Sequence, residues 1–294
     1  MLLTSSGLAP GDEAALEKFK DPERRPANLP AEAVGHRPDQ PLKLDRFKLL
    51  QALRGAGRGS AQDLAGMRYE HLRVLVEDEQ VWALFGDLAQ DFARAQVPHD
   101  VMQALRLGRM TALRKKEDEV RGIVAGSVLR RLVCKAVARQ FSDEFEARAA
   151  PFQFALQTKA GTDALSHALR FLTDLDEDVV IISLDGIGAF DHVKRSAFFA
   201  KLLEYEELGP LLLLVSALYG TKSRFLWRDQ EGRDHEIEQT EGGEQGCPLM
   251  PALFALAQHD ALTAANAEFL PNEHIFAFLD DIHSDIEGPS WRSI

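Results

Sequence analysis

A chain of 294 residues, 45% hydrophobic and 27% charged, carries enough apolar material for one large domain or two closely packed subdomains. Its longest apolar stretch, Leu211 to Leu218, is far shorter than the roughly 20 residues a membrane-crossing helix needs. The N-terminus lacks the basic-then-apolar pattern of a secretory signal, so an intracellular chain with no membrane span is expected. The net charge of −12 weighs against a nucleic-acid partner, because phosphates are neutralised by Lys and Arg. Cys134 and Cys247 have no companions at metal-ligand spacing, which points to free thiols rather than a zinc site or a disulfide framework.

From Met1 to about residue 41 the chain is rich in Pro, Ala, Glu and Arg with little apolar periodicity, and reads as a loosely ordered extension. Helical spacing then runs from Leu42 to Leu107, interrupted by Gly55, Gly57, Gly59 and Gly66 and restarted after Pro98. Between Met110 and Val124 the pattern shortens and alternates, predicting a hairpin whose tip is the charged run Arg114 to Glu119. A helix over 128–149 follows. The segment from Arg106 to Arg139 is dense in Arg and Lys, a local basic footprint on an acidic chain whose alternative is a pair of solvated helix faces. Val179 to Leu184 is continuous and β-branched, the pattern of a buried strand ending at Asp185. Helices over 194–204 and 208–219, a second hairpin over 224–239 turning near Asp229 to Gly232, an apolar helix over 251–268 and a short strand over 275–279 complete the order.

Chemistry concentrates where two strands end in aspartate: Ser-Leu-Asp185-Gly-Ile-Gly-Ala-Phe190-Asp191 and Ala-Phe-Leu-Asp280-Asp281-Ile. Carboxylates from neighbouring strands can bridge two divalent ions about 3.5 to 4 Å apart, the arrangement that activates an attacking hydroxyl and stabilises a pyrophosphate leaving group. Neighbours on a regular strand face opposite ways, so Asp280 and Asp281 can both serve one site only at a turn. Read by themselves, the same residues are loop and cap aspartates.

The order and spacing of several segments resemble reverse transcriptases of the non-LTR retrotransposon and group II intron type. Ser183 to Val193 resembles motif A, Glu241-Gly-Gly-Glu-Gln245-Gly246-Cys-Pro-Leu-Met-Pro-Ala-Leu-Phe254 motif B, and Phe278-Leu-Asp-Asp281 motif C. Upstream, Thr111 to Ile123 is similar to the fingers motif and Phe152 to Thr162 to the template-contacting segment. The resemblance implies an α+β right-hand polymerase: fingers over 42–160, and over 161–294 a palm with a fingers insertion, whose small antiparallel sheet packs on helices. It implies RNA-templated DNA synthesis with two Mg²⁺ ions, Mn²⁺ being the alternative, and as partners an RNA template, a DNA primer and deoxynucleoside triphosphates. Asp185 and Asp280 would be the main metal ligands and Asp281 a supporting one. Lys115 or Lys116, with Arg121, would hold the triphosphate. Gln245 and Gly246 would lie against nucleotide and template, the glycine permitting close backbone approach. Phe190 stands where such enzymes carry an aromatic residue that collides with a ribose 2′-hydroxyl; its other reading is core packing. Target-primed synthesis would place such an enzyme in the nucleus.

Several departures accompany the resemblance. Gly122 stands where proline is common, Ala155 where glycine is common, and Cys247 where an acidic residue often follows Gln-Gly. Only 13 residues follow Asp281, so the chain reads as truncated, without a thumb. Ile282-His-Ser-Asp-Ile-Glu-Gly-Pro, where the return strand of the catalytic hairpin belongs, is a polar run ending in strand breakers rather than an apolar strand. The alternatives are an inactive or repurposed reverse-transcriptase-like fragment, and an RNA-dependent RNA polymerase.

Overall fold

Side chains of both periodicities found in the sequence have to be buried, and the chain does so in a helical core flanked by two small sheets. The computed structural model describes residues 7–21, 38, 40–114, 120–156, 158–176, 178–186 and 188–286. In chain order the elements are α1 (Glu13–Lys20), α2 (Arg46–Arg54), α3 (Tyr69–Arg73), α4 (Glu79–Ala93), α5 (His99–Arg106), β1 (Gly108–Arg114), β2 (Val120–Ala125), α6 (Val128–Gln140), α7 (Ser142–Ala149), α8 (Gly161–Leu175), β3 (Val180–Asp185), the single turn α9 (Ala189–His192), α10 (Arg195–Glu204), α11 (Leu212–Tyr219), β4 (Ser223–Arg228), β5 (Asp234–Gln239), α12 (Met250–Ala267), β6 (His274–Phe278) and β7 (Asp281–Ile286). No helix among the described residues is long and apolar enough to cross a membrane.

Helix starts follow local chemistry. The carboxylate of Asp45 accepts the Phe47 and Lys48 N–H groups at the head of α2, Asp78 does the same for Gln80 and Val81 at α4, and Ser127 caps α6 through Arg130 N–H. Pro98 precedes α5 as its N-cap residue. The helix expected over 128–149 is two helices, broken at Phe141, which caps one and begins the next. Helices α2, α4, α6, α10, α11 and α12 enclose the main core, with Leu49, Phe92, Val133, Phe198, Leu214 and Leu253 fully buried.

The first sheet has the order β2-β1-β4-β5, antiparallel except where Gly108 to Met110 run parallel to Phe225 to Trp227. Alternate residues of β1 and β4 point inward, as period-2 patterning requires. What covers them is residues 7–21, which are packed rather than loosely ordered; most of the rest of the 1–41 extension lies outside the described residues. Beyond the short β1–β4 pairing, Ala9 N–H donates to Ala112 O at 3.0 Å and Arg114 N–H to Gly7 O at 2.9 Å, so the N-terminal segment fills the vacant edge of β1. Helix α1 then lays Ala15, Leu16 and Phe19 over Met110, Val124, Phe225, Trp227 and Ile237, with the Phe19 ring edge-on to Trp227 at 5.7 Å. The apolar residues that make this contact fall on one short helix, a pattern too brief to register as periodicity.

The second sheet is β3-β7-β6, wholly antiparallel. Two expectations change here. The polar run after Asp281 forms β7, the central strand, because its inward polar groups are satisfied: buried Asp285 accepts the His274 N–H at 2.8 Å and faces His274 Nδ1 at 3.2 Å. Conversely β3, expected to be buried, is an edge strand paired only with β7, and its Leu184 is 56% exposed. A continuous β-branched run specifies a strand without specifying what covers it.

Part of the basic segment is taken into the fold, while Arg109, Arg114 and Arg121 stay exposed. Arg106, Arg130 and Arg131 are buried: Arg106 donates to Thr221 and Lys222 carbonyls, Arg130 pairs with Glu244, and Arg131 donates to Ala61 O and lies over the Tyr69 ring. Cys134 and Cys247 are free thiols, both buried.

Two stability measurements check this account. Phe19→Ala should cost about 3–5 kcal/mol in urea unfolding, as for a buried aromatic, whereas a truly loose extension would give a value near zero. At the β4–β5 turn, His235 and Arg233 hold the Asp229 carboxyl down to about 2. A depressed carboxylate stabilises the fold above its unfolded value near 4, and the contribution is lost as pH falls from there through about 2. Asp229→Asn should flatten that part of the stability-versus-pH curve, and a curve unchanged in the variant would count against the assignment.

Candidate active site

Motif-like residues from four parts of the chain meet at one end of the second sheet. Asp185 is the last residue of β3 and stands directly opposite Asp281, the first residue of β7. Cross-strand partners project from the same face of a sheet, so these two carboxylates lie side by side. Between β6 and β7 the loop is only Leu279 and Asp280, with Phe278 and Asp281 as the flanking pair. Leu279 has φ +57°, a positive value at the first residue of a two-residue loop, where glycine is usual. The turn lets Asp280 escape strand alternation: it joins Asp185, Arg121, Phe190, Gln245, Pro251 and Leu279 around an open cavity of about 370 Å³. None of the three aspartates is ion-paired among the described residues.

Opposite the carboxylates, exposed Arg121 projects from β2 into the same cavity. Lys115 and Lys116, the other expected phosphate-binding residues, lie outside the described residues. Phe190 lies on the single turn α9. Its ring stacks on Phe254 at 4.7 Å and packs against the main core, while the residue also lines the cavity beside Asp185.

The segment between β5 and α12 is bolted to this turn through its backbone. Gly242 N–H donates to Val193 O and Gly243 N–H to Phe190 O, each at 2.8 Å. Gly242 has φ +69°, and a Cβ there would stand 2.2 Å from Asp191 O, so only glycine fits. Gln245 reaches the cavity. At Gly246 a Cβ would meet Val124 O of β2 at 1.9 Å, so its bareness also lets the loop pack on the first hairpin.

Buried charge fixes the loop from beneath, a feature that sequence reading missed. Arg195, fully buried, donates Nε to Gly242 O at 2.9 Å, Nη1 to Tyr219 O and Thr221 O, and Nη2 to Ser223 Oγ and Gln239 O. Its backbone N–H donates to Glu241 Oε2 at 2.7 Å. Burial lowers the guanidinium to about 10 against the upward pull of Tyr219, Glu244 and Glu241, so it stays charged at neutral pH. Glu244 forms a fully enclosed pair with Arg130 at 2.8 Å; burial disfavours that guanidinium, but Glu244 together with Tyr219, Cys247 and Cys134 raises it well above its ordinary value. Acidic residues flanking a Gly-Gly pair, with an arginine heading the helix after motif A, are the only sequence traces of this network.

A search of family profiles matches residues 113–290 to the family described as reverse transcriptase (RNA-dependent DNA polymerase), well over half of the chain. The chain belongs to the reverse transcriptase family. A retrotransposable element protein of Trypanosoma brucei gambiense, the SLACS 132 kDa protein, is 27% identical to this reverse transcriptase domain over 225 residues, which is 76% of this chain and 19% of that protein. The chain thus spans about a fifth of that relative's length. Two solved structures of apo telomerase from Candida tropicalis, one truncated from the C-terminal domain, align at 11% identity with TM-scores of 0.45 and 0.44. They cover 63% and 64% of this chain and 44% and 39% of their own. Family membership and the two-sheet α+β architecture give this reverse transcriptase the fingers and palm of a right-hand polymerase, with β3, β6 and β7 as its palm sheet.

The docking of the glycine loop is tested by two alanine substitutions. Gly242→Ala, forcing a Cβ into Asp191 O at a positive φ, should lower the thermal midpoint by several degrees, about 1–3 kcal/mol or more. Gly209→Ala, with open space around its Cβ, should leave the midpoint nearly unchanged; equal effects would refute the packing argument.

Proposed function

We propose that this reverse transcriptase domain performs RNA-templated DNA synthesis for a retroelement, using Asp185, Asp280 and Asp281 as metal-binding carboxylates. The observation that carries the reading is that Asp185 and Asp280 line one cavity with Arg121 while Asp281 stands opposite Asp185 across β3–β7, none of the three ion-paired among the described residues. Among the described residues no three His, Cys, Asp or Glu side chains close into a cage around a single ion. That suits Mg²⁺, which keeps several waters and is commonly held by one or two carboxylates together with substrate phosphates. When bound, the metal would supply Lewis-acid activation of the primer 3′-hydroxyl and charge stabilisation on the pyrophosphate leaving group.

The chain's own groups have distinct tasks. Arg121, exposed on β2, offers a fork that matches phosphate oxygens. Gln245, held in place by the bolted glycine loop beneath it, presents a polar amide to the nucleotide. Phe190, braced by Phe254, cannot swing away from a ribose that carries a 2′-hydroxyl. In this reading residues 42–160 act as fingers and 161–294 as palm, with RNA template, DNA primer and deoxynucleoside triphosphates as partners.

Primer extension on an RNA template with Mg²⁺ and deoxynucleotides is the direct test. Asp185→Ala and Asp280→Ala should each reduce extension by more than the roughly 100-fold typical of a lost outer-shell partner. Arg121→Ala should raise the nucleotide KM by about tenfold, the equivalent of one charge-assisted hydrogen bond. Phe190→Ala should admit ribonucleotides. No extension by a folded wild-type chain would favour the repurposed-fragment reading instead.

A further inference from the structure

The Leu279-Asp280 turn has a problem of its own making: a branched aliphatic residue occupies a backbone region that favours glycine, and such a conformation persists only where surrounding structure dictates it. The geometry points to Gln153 as the positioning residue that dictates it, holding the turn so that Asp280 and Asp281 face the metal ions; this rests on the metal-binding role proposed above.

Gln153 lies 126 residues from Leu279 in sequence, yet its Oε1 accepts the Leu279 N–H at 3.0 Å. Only oxygen can accept from a backbone N–H, so the orientation of the amide is fixed. Its Nε2 is thereby aimed at Gln258 Oε1 on α12, 2.9 Å away. The backbone of the segment is anchored too: Phe154 N–H donates to Ala277 O and Ala277 N–H to Phe152 O, both at 2.8 Å, a parallel bridge along the outer edge of β6. Gln153 is 9% exposed, and both ends of its amide are engaged within the fold. The side chain therefore links the strained turn to the longest helix of the core among the described residues. A two-residue loop leaves the Leu279 N–H outside the strand ladder, so without Gln153 it has no partner that selects the left-handed conformation over others.

The test uses the full chain and two readouts besides polymerisation. Gln153→Met preserves approximate volume and removes both hydrogen bonds. Amide hydrogen exchange at Leu279 should accelerate in the variant, and Mn²⁺ affinity, read from the paramagnetic resonance of the free ion, should fall by about 10- to 100-fold, the usual range for a lost outer-shell partner. Adding Leu279→Gly to Gln153→Met should recover most of that affinity, because glycine adopts the positive φ unaided. Unchanged exchange at Leu279 would overturn the clamp. A lowered melting temperature with unchanged Mn²⁺ affinity would reduce Gln153 to ordinary core packing, and so would failure of the glycine to rescue. Should Gln153→Met fail to fold, Gln258→Met at a half-buried position releases the far end of the amide; unaltered Mn²⁺ affinity in that variant would equally overturn the proposal. A wild-type chain that binds no Mn²⁺, yet protects the Leu279 amide, would sink the metal reading itself and leave the hydrogen bond as a feature of the fold alone.

Discussion

The arrangement of this domain hangs on charge that has been taken out of water. Arg195 and Arg130 are enclosed beneath the glycine loop, one satisfied by carbonyls and hydroxyl and by the proximity of Glu241, the other by Glu244. Removing two guanidinium groups from solvent is costly unless nearly every donor finds an acceptor. That requirement dictates geometry: the acceptors of Arg195 come from the end of α11, the start of β4, the end of β5 and Gly242, so these segments can be assembled in only one way around it. The loop that results has no slack. Its glycines sit on the backbone of Phe190 to Val193, and the turn after β3 inherits its position from that contact. A hydrophobic replacement of the same volume could match the stability of such a network, but would not impose the same directional constraints.

Much of this architecture was legible in the sequence, and the readable parts share a cause. The two hairpins over 108–125 and 223–239 alternate with the period of a sheet that buries one face, and their turns carry charged residues or Asp and Gly. Helix α12 announces itself by an apolar run opened by proline. The Leu279-Asp280 turn followed from a geometric necessity, since two adjacent aspartates cannot serve one site from a straight strand. What was missed depends on long-range pairing. Nothing local shows that Asp285 will be satisfied by His274, so a central strand looks like a polar tail. Nothing local shows that Arg106, Arg130 and Arg131 will be buried while Arg109, Arg114 and Arg121 of the same segment stay exposed. The packing role of Gly246 is hidden in the same way, because the carbonyl that crowds it belongs to Val124, more than a hundred residues away in sequence.

The acidic chain and its expected polyanionic partner are reconciled by where charge lies rather than by its sum. Net charge sums over the whole surface, whereas a substrate meets only one cleft. Within that cleft the carboxylates need cations, and a bound divalent pair would invert the local sign and draw phosphate towards Arg121. In the proposed reading, negative charge at Asp185, Asp280 and Asp281 is a condition for holding nucleotide rather than an obstacle to it.

The two halves of the site differ in how firmly they are held, and the difference follows from packing. The glycine loop and Phe190 rest on the large helical core, where displacement would disturb many buried side chains. The strands bearing the aspartates rest on a far smaller cluster, Phe152, Leu262, Ile275 and Ala277, and β3 leaves apolar side chains uncovered. Elements with few buried apolar contacts open locally at low free energy, so packing alone is a weak determinant of carboxylate geometry here. Directional bonds must supply what packing does not. The β3–β7 register sets Asp185 against Asp281, and the Gln153 amide connects the turn that carries Asp280 to α12, a helix of the large core. The site is thus rigid where it would recognise the nucleotide and tethered at a few points where it would hold metal, which leaves its carboxylates free to adjust by small amounts as ions and phosphates enter.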